Sequence, residues 1–281
     1  MYYIIQENIY KEYHYNTLMN YLKKYNLPHE IIPWRPFDPK AISDWVKTDR
    51  KDIWFFGSID DGIELQKSGW YPGIMYNDNH DFELYAKKFG EYMLNSDASF
   101  WDFGYFSRGS HNFIRPTRDT KIFESRVYRS DEWQDYVSDA TKSGLFDKIR
   151  QKTRMMVADP KDGIQQEIRC WIIDGEPVTI SQYKIGRRVN MLNMDNNQEA
   201  YIFAKQMAKI FCPSRVFVLD ICLYQDDYKI VEINCANMSG FYDIDMSKLI
   251  QALENTFDGK YDNARATAIN ANGSKGSVEG T

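Results

Sequence analysis

Apolar and polar positions along the chain follow two alternating periods. Tyr2-Tyr3-Ile4-Ile5 is a short apolar run that predicts a strand. Tyr15, Leu18, Met19 and Leu22 then recur at helical spacing, on an amphipathic helix that Pro28 closes. Glu30-Ile31-Ile32-Pro33 reads as a second strand. After the Pro-rich turn at 34–39, Asp52-Ile53-Trp54-Phe55-Phe56-Gly57-Ser58 reads as a buried parallel strand entering a turn. Helix-like text over 60–68 completes the strand-and-helix order of an α/β layer.

From residue 112 the pattern changes. Asn112-Phe113-Ile114-Arg115-Pro116 is a strand ending on a cation, and 121–128 is a second extended stretch beyond a polar loop. Ser130-Asp131-Glu132 predicts an N-cap with acids in the first turn. Trp133, Tyr136, Val137 and Ala140 follow at helical spacing until Ser143-Gly144 stops the helix. A strand over 154–158 meets Asp159-Pro160. Beyond Ile164 the text is mostly β: 165–173 and 176–183 form a hairpin, because Asp174-Gly175 supplies the positive φ of a tight turn. A helix over about 197–211 precedes a second hairpin, 216–223 with 228–234, and a last helix covers 245–257. Residues 259–281 hold no Leu, Met, Phe or Trp and read as a tail that buries too little to offset its ordering entropy.

With 281 residues, the chain has room for about two structural units at roughly 150 residues each. The expected division is an α/β domain at 1–111, a mixed α+β region at 112–258 and the tail at 259–281. A net charge of -5 excludes the basic excess of a nucleic-acid coat. No apolar run approaches the roughly 20 residues of a membrane span, and the first residues lack the features of a signal peptide, so the expected location is the cytosol. Cys170, Cys212, Cys222 and Cys235 form no CxxC pair and offer no zinc spacing with only four histidines. They are expected to be buried small apolar residues.

The chemistry concentrates in the second hairpin. Asp220 lies in one strand, and Glu232 and Asn234 lie two apart in its partner, so these last two share a face. Strands otherwise made of Val, Leu and Ile bury carboxylates only when their charge is compensated. Two readings stay open. The set holds a hard divalent cation such as Mg²⁺, or Glu232 and Asn234 face solvent while Asp220 makes an ordinary ion pair.

The accompanying text resembles the ATP-grasp superfamily over about 112–257. The resemblance rests on Arg115-Pro116, Lys121, the strand before Asp159-Pro160, the run Glu167-Ile168-Arg169 before Asp174-Gly175, the closing Asp220 with Glu232-Ile233-Asn234, and 237–242 as a last active-site loop. It is closest to a clade of small, often phage-encoded members that carry Arg-Pro in place of Lys-Pro. The resemblance implies a nucleotide held between two α+β lobes, a small one at about 112–161 and a large one at about 162–258, behind an N-terminal substrate-side domain. It implies Mg²⁺ on Asp220, Glu232 and Asn234, with ATP phosphates on Arg115 and Lys121 and Arg169 at the γ-phosphate. The adenine lies against the hinge at Val157, Asp159 and Lys161, and Glu167 belongs to the nucleotide site.

The activity implied is an ATP-dependent ligase that joins a carboxylate, from a small molecule or a peptide, to an amine through an acyl-phosphate. The alternative is a nucleotide-binding or host-interaction protein without ligase chemistry. That alternative draws on one departure from the family: the phosphate loop Arg118-Asp119-Thr120-Lys121-Ile122-Phe123-Glu124-Ser125 has no glycine to let its backbone approach phosphate closely.

Weaker candidates stand beside these. Lys184, Arg187 and Arg188 follow the first hairpin as a basic loop, either at the acyl-phosphate or simply solvated. Ser107-Arg108-Gly109-Ser110-His111 lacks the context of a nucleophile elbow. The tryptophans of the first half are expected in the core, with 100–106 as the stretch to watch at a substrate cleft.

Overall fold

Ile53-Trp54-Phe55-Phe56 has no polar position, so it can form a strand only where both sheet faces are covered. A computed structural model describes residues 1–8, 11–33, 42–118, 122–151 and 153–257, and in it all four are fully buried. They form β3 (Ile53–Phe56), which with β2 (His29–Ile32) flanks β1 (Tyr2–Gln6) in a parallel sheet of order β2-β1-β3. Helix α1 (Glu12–Lys24) buries His14, Leu18, Met19 and Leu22, the stripe expected from spacing. Leu65 of α2 (Ile59–Leu65) joins Ile4, Ile32, Ile53 and Phe55 in the core.

The turn after β3 needs glycine, because a Cβ on Gly57 would lie 2.1 Å from the Phe55 ring. Ser58 then caps α2 by accepting from the Asp61 amide at 3.2 Å. Asn237 binds this region through its side chain: Nδ2 donates to the carbonyls of Phe55 and Gly73, and Oδ1 accepts from the Met75 amide.

These residues belong to the first of two compact units, formed by 1–76 and the segment from Cys235 onward, which includes the C-terminal helix Met246–Phe257. The second unit is Asn77–Asn234. Residue 111, the expected domain boundary, therefore falls inside the second unit, and 237–242 falls in the first.

The second unit begins with α3 (Phe82–Phe89) and β4 (Ser99–Asp102), neither of them foreseen from the sequence. It continues through β5 (His111–Pro116), β6 (Arg126–Arg129), α4 (Ser130–Lys142), α5 (Phe146–Arg150) and β7 (Arg154–Ala158). Its four-stranded sheet has the order β4-β7-β5-β6, so a strand from before residue 111 pairs with Arg154–Val157. The expected strand at 121–128 contracts to β6. Ser130 is not the cap of α4. Its hydroxyl donates to the Gly109 carbonyl at 2.7 Å, and Arg129 precedes the helix without a capping side chain.

Next come β8 (Ile164–Ile173), β9 (Glu176–Ile185), β10 (Arg188–Asn193), α6 (Gln198–Ile210), β11 (Val216–Tyr224) and β12 (Asp227–Cys235). They make a five-stranded sheet of order β10-β9-β8-β11-β12. Both expected hairpin turns are present: Asp174 and Gly175 have φ of 49° and 83°, and Gln225 and Asp226 have 53° and 66°.

One core of this unit lies where α3 and α6 cover one face of the large sheet, with Phe82, Phe89, Ile168, Cys170, Ala204 and Leu219 among its members. A second joins α4 to the small sheet through Trp133, Val137, Ile114 and Met155. Cys170, Cys222 and Cys235 are buried as expected, but Cys212 is exposed, because it follows the end of α6. Among the described residues no helix is long and apolar enough to cross a membrane.

His80, in the capped turn before α3, gives a test of this packing. Burial holds its imidazole down at about 4, against 6.5 in an unfolded chain. The unfolded state therefore takes up the proton first, and stability that is full above pH 6.5 falls as the pH drops toward 4. The loss should reach about 3 kcal/mol by pH 4. Urea denaturation at pH 7 and pH 5 should show a smaller acid penalty for His80→Gln than for the wild type, by roughly 2 kcal/mol.

Candidate functional site

Strand register decides which charges meet. On β8, Glu167 and Arg169 point to the same face, and Arg169 lies directly across from Asp220 of β11. The two are bound bidentately, Nε to Oδ1 at 2.9 Å and Nη2 to Oδ2 at 2.7 Å. Arg169 is 8% exposed and Asp220 1%, so this pair is buried. Of the two sequence readings for Asp220, the ion pair is therefore present here, inside the sheet rather than at its surface.

A bulge between β8 and β9 at Glu167 and Ile168 leaves Tyr183 as the extra residue. Tyr183 and Lys184 consequently both reach Glu167: the Tyr183 hydroxyl donates at 2.8 Å, and Lys184 Nζ lies 2.5 Å from the other oxygen.

On β12, Glu232 and Asn234 converge on the same place. Asn234 Nδ2 donates to Asp220 Oδ2 at 3.1 Å and to Glu232 Oε1 at 3.0 Å. The second oxygen of Glu232 accepts from Arg115 Nη1 at 2.5 Å. Arg115 comes from β5 of the small sheet, with its guanidinium over the Phe82 ring at 5.0 Å. Three cations, Arg115, Arg169 and Lys184, thus face three carboxylates, Glu167, Asp220 and Glu232.

Burial pushes the Asp220 carboxyl above its ordinary range, against the pull of Arg169. Burial acts on Glu232 in the same direction, but Arg115 and the Asn234 hydrogen bond outweigh it and hold its carboxyl below the ordinary value.

The donor set fits a hard cation. Two carboxylates and one amide meet at a point, with the Asn234 nitrogen between the carboxylates, and an amide oxygen turned into that place would complete an all-oxygen site. Among the described residues no three His, Cys, Asp or Glu side chains gather as a metal site, so any cation here would complete its coordination with water or phosphate oxygens.

At the end of β7 the expected hinge residues sit in a second network. The Val157 carbonyl accepts from Arg108 Nη1 at 3.1 Å, and the Asp159 amide donates to Asp97 at 2.8 Å. Lys161 Nζ lies 2.7 Å from Asp97. Asp97 and Arg108, which organise this network, were not foreseen; only the cation inside Ser107-Arg108-Gly109 offered a signal.

Arg187 does not join the cluster. It stands beyond the β9 end, 95% exposed and 3.7 Å from Asp162, because the turn at Gly186 carries it into solvent. Arg188 is exposed as well. Lys121 lies outside the described residues. The Ser110 hydroxyl and His111 Nδ1 are 3.1 Å apart on the surface. Within 100–106, Phe103 is buried in the core of the small sheet and Trp101 is partly exposed.

A small and a large antiparallel sheet, with a cationic strand of one meeting an acidic hairpin of the other, define an ATP-grasp fold. The chain belongs to an ATP-grasp domain family, family 3 of its clade, whose model matches residues 38–253. The fold is also that of solved ligases. D-alanine–D-alanine ligase from Bacillus anthracis, complexed with ATP, superposes with a TM-score of 0.59 at 13% identity, over 93% of this chain and 98% of that one. D-cycloserine synthetase DcsG gives 0.58 at 9% identity, over 92% and 99%. The ATP-grasp ligase PsnB complexed with a minimal precursor gives 0.51 at 9% identity, over 91% and 98%. No curated protein sequence matches the chain.

Proposed function

We propose that the protein is an ATP-dependent ligase that joins a carboxylate to an amine. The single observation that carries this is the convergence of Asp220, Glu232 and Asn234 with Arg115 and Arg169 on one point between two sheets. The reading is further supported by family membership and by the ligase structures that share the fold.

In this reading Asp220, Glu232 and Asn234 hold Mg²⁺, which when bound offsets phosphate charge. Arg115 and Lys121 bind the phosphates of ATP, and Arg169 is placed to reach the γ-phosphate. The carboxylate oxygen of the substrate attacks the γ-phosphorus and ADP leaves. The amine then attacks the acyl carbon, phosphate departs with the C–O bonding pair, and the amine gives up a proton. Arg169 and Lys184 supply fixed positive charge for the oxygens that gain charge in both steps. Glu167 orients Lys184, and the hinge groups at Val157, Asp159 and Lys161 position the base.

Calorimetry with ATP and Mg²⁺, followed by phosphate release across a panel of amino acids and short peptides, tests the assignment. The expected result is binding, with release only when a carboxylate and an amine are both present. Binding without release under any pair would favour the alternative of a nucleotide-binding protein, to which the glycine-free stretch 118–125 points.

A further inference from the structure

Every donor of the candidate metal set already has a partner. Asp220 holds Arg169 with both oxygens, and Glu232 holds Arg115 with one. Asn234 turns its nitrogen, not its oxygen, toward the two carboxylates. A divalent cation entering alone would have to displace two guanidiniums from partly or wholly buried carboxylates and hold its own charge close to theirs.

We propose that Arg115 and Arg169 are internal counter-ions that keep the Asp220, Glu232 and Asn234 set closed to a divalent cation until nucleotide phosphates draw the guanidiniums away. This rests on the nucleotide reading above. The chemistry of guanidinium suits both states, since its planar fork binds a carboxylate or a phosphate with the same pair of N–H groups. Release of the carboxylates also frees the Asn234 amide to turn its oxygen inward.

Arg115 is the member placed to move. Arg169 and Asp220 sit on neighbouring strands of one sheet, whereas Arg115 reaches Glu232 from the other sheet, and Glu232 is a quarter exposed. The order of binding then follows from charge: nucleotide first or together with the metal, never the metal alone.

Mn²⁺, followed by the electron paramagnetic resonance of the free ion, serves as the probe. The wild type should bind Mn²⁺ alone at least about tenfold more weakly than in the presence of a non-hydrolysable ATP analogue. Arg115→Gln, shown to be folded by its thermal transition, should bind Mn²⁺ alone about tenfold more tightly than the wild type, and Arg115→Lys should stay weak. Wild-type protein that binds Mn²⁺ as tightly alone as with the analogue overturns the proposal. So does an Arg115→Gln variant with unchanged affinity for Mn²⁺ alone. Calorimetry of the analogue tests the nucleotide reading separately, because the comparison of wild type and Arg115→Gln with Mn²⁺ alone needs no nucleotide.

Discussion

Asp220→Asn is expected to lower ATP turnover by roughly a hundred- to a thousandfold while the chain stays folded. The substitution keeps the shape of the side chain and one oxygen, and removes the charge that a cation would meet. Arg169, no longer matched by a carboxylate, would also sit less firmly where the γ-phosphate is expected. The same loss should follow Glu232→Gln, and the double variant should be little worse than either single one, since the residues of one metal set act as a unit. Turnover in the double variant within a few-fold of wild type would remove these residues from the chemistry. Circular dichroism and a urea transition near that of the wild type are needed alongside, so that lost activity is not lost fold.

Arg169→Met should have the largest effect on stability, about 3–5 kcal/mol at neutral pH. Asp220 is 1% exposed, and without its bidentate partner the carboxylate is left buried with only the Asn234 hydrogen bond among those described above. Burial already raises the Asp220 carboxyl, and loss of Arg169 removes the main force that lowers it. A carboxyl raised in the folded state is penalised more as the pH rises, so the loss should be smallest near pH 4 and grow toward neutrality. Adding Asp220→Asn to Arg169→Met should recover much of the stability, because an apolar or neutral pair of similar volume avoids the buried charge. Urea transitions of the single and double variants at pH 5 and pH 7 check both claims. A single variant as stable as the wild type at pH 7 would show that the ion pair contributes nothing to the fold.

The legible part of the fold was the part with strong local signals. The all-apolar Ile53–Phe56 run, the Asp174-Gly175 turn and the α1 stripe each fix their element within a few residues. Helix α3 and strand β4 escaped because Phe82, Tyr85 and Phe89 are separated by Lys and Glu text that also suits a loop, and Ser99-Phe100-Trp101-Asp102 is too short to declare a period. Asp97 and Arg108 escaped for another reason. Each is an ordinary surface type by composition, and only folding brings them together with Val157, Asp159 and Lys161.

The sequence by itself determined the acidic hairpin. Period-two alternation requires Glu232 and Asn234 to share a face, and an apolar strand around Asp220 requires compensation of its charge. It could not determine the compensating group, because that depends on contacts between strands far apart in the chain. The tertiary structure decided it: register sets Arg169 across from Asp220, packing of one sheet near another sets Arg115 on Glu232, and a one-residue bulge turns Tyr183 and Lys184 onto Glu167. It also left Arg187 in solvent, since a turn glycine at the end of β9 points the next residue away from the sheet.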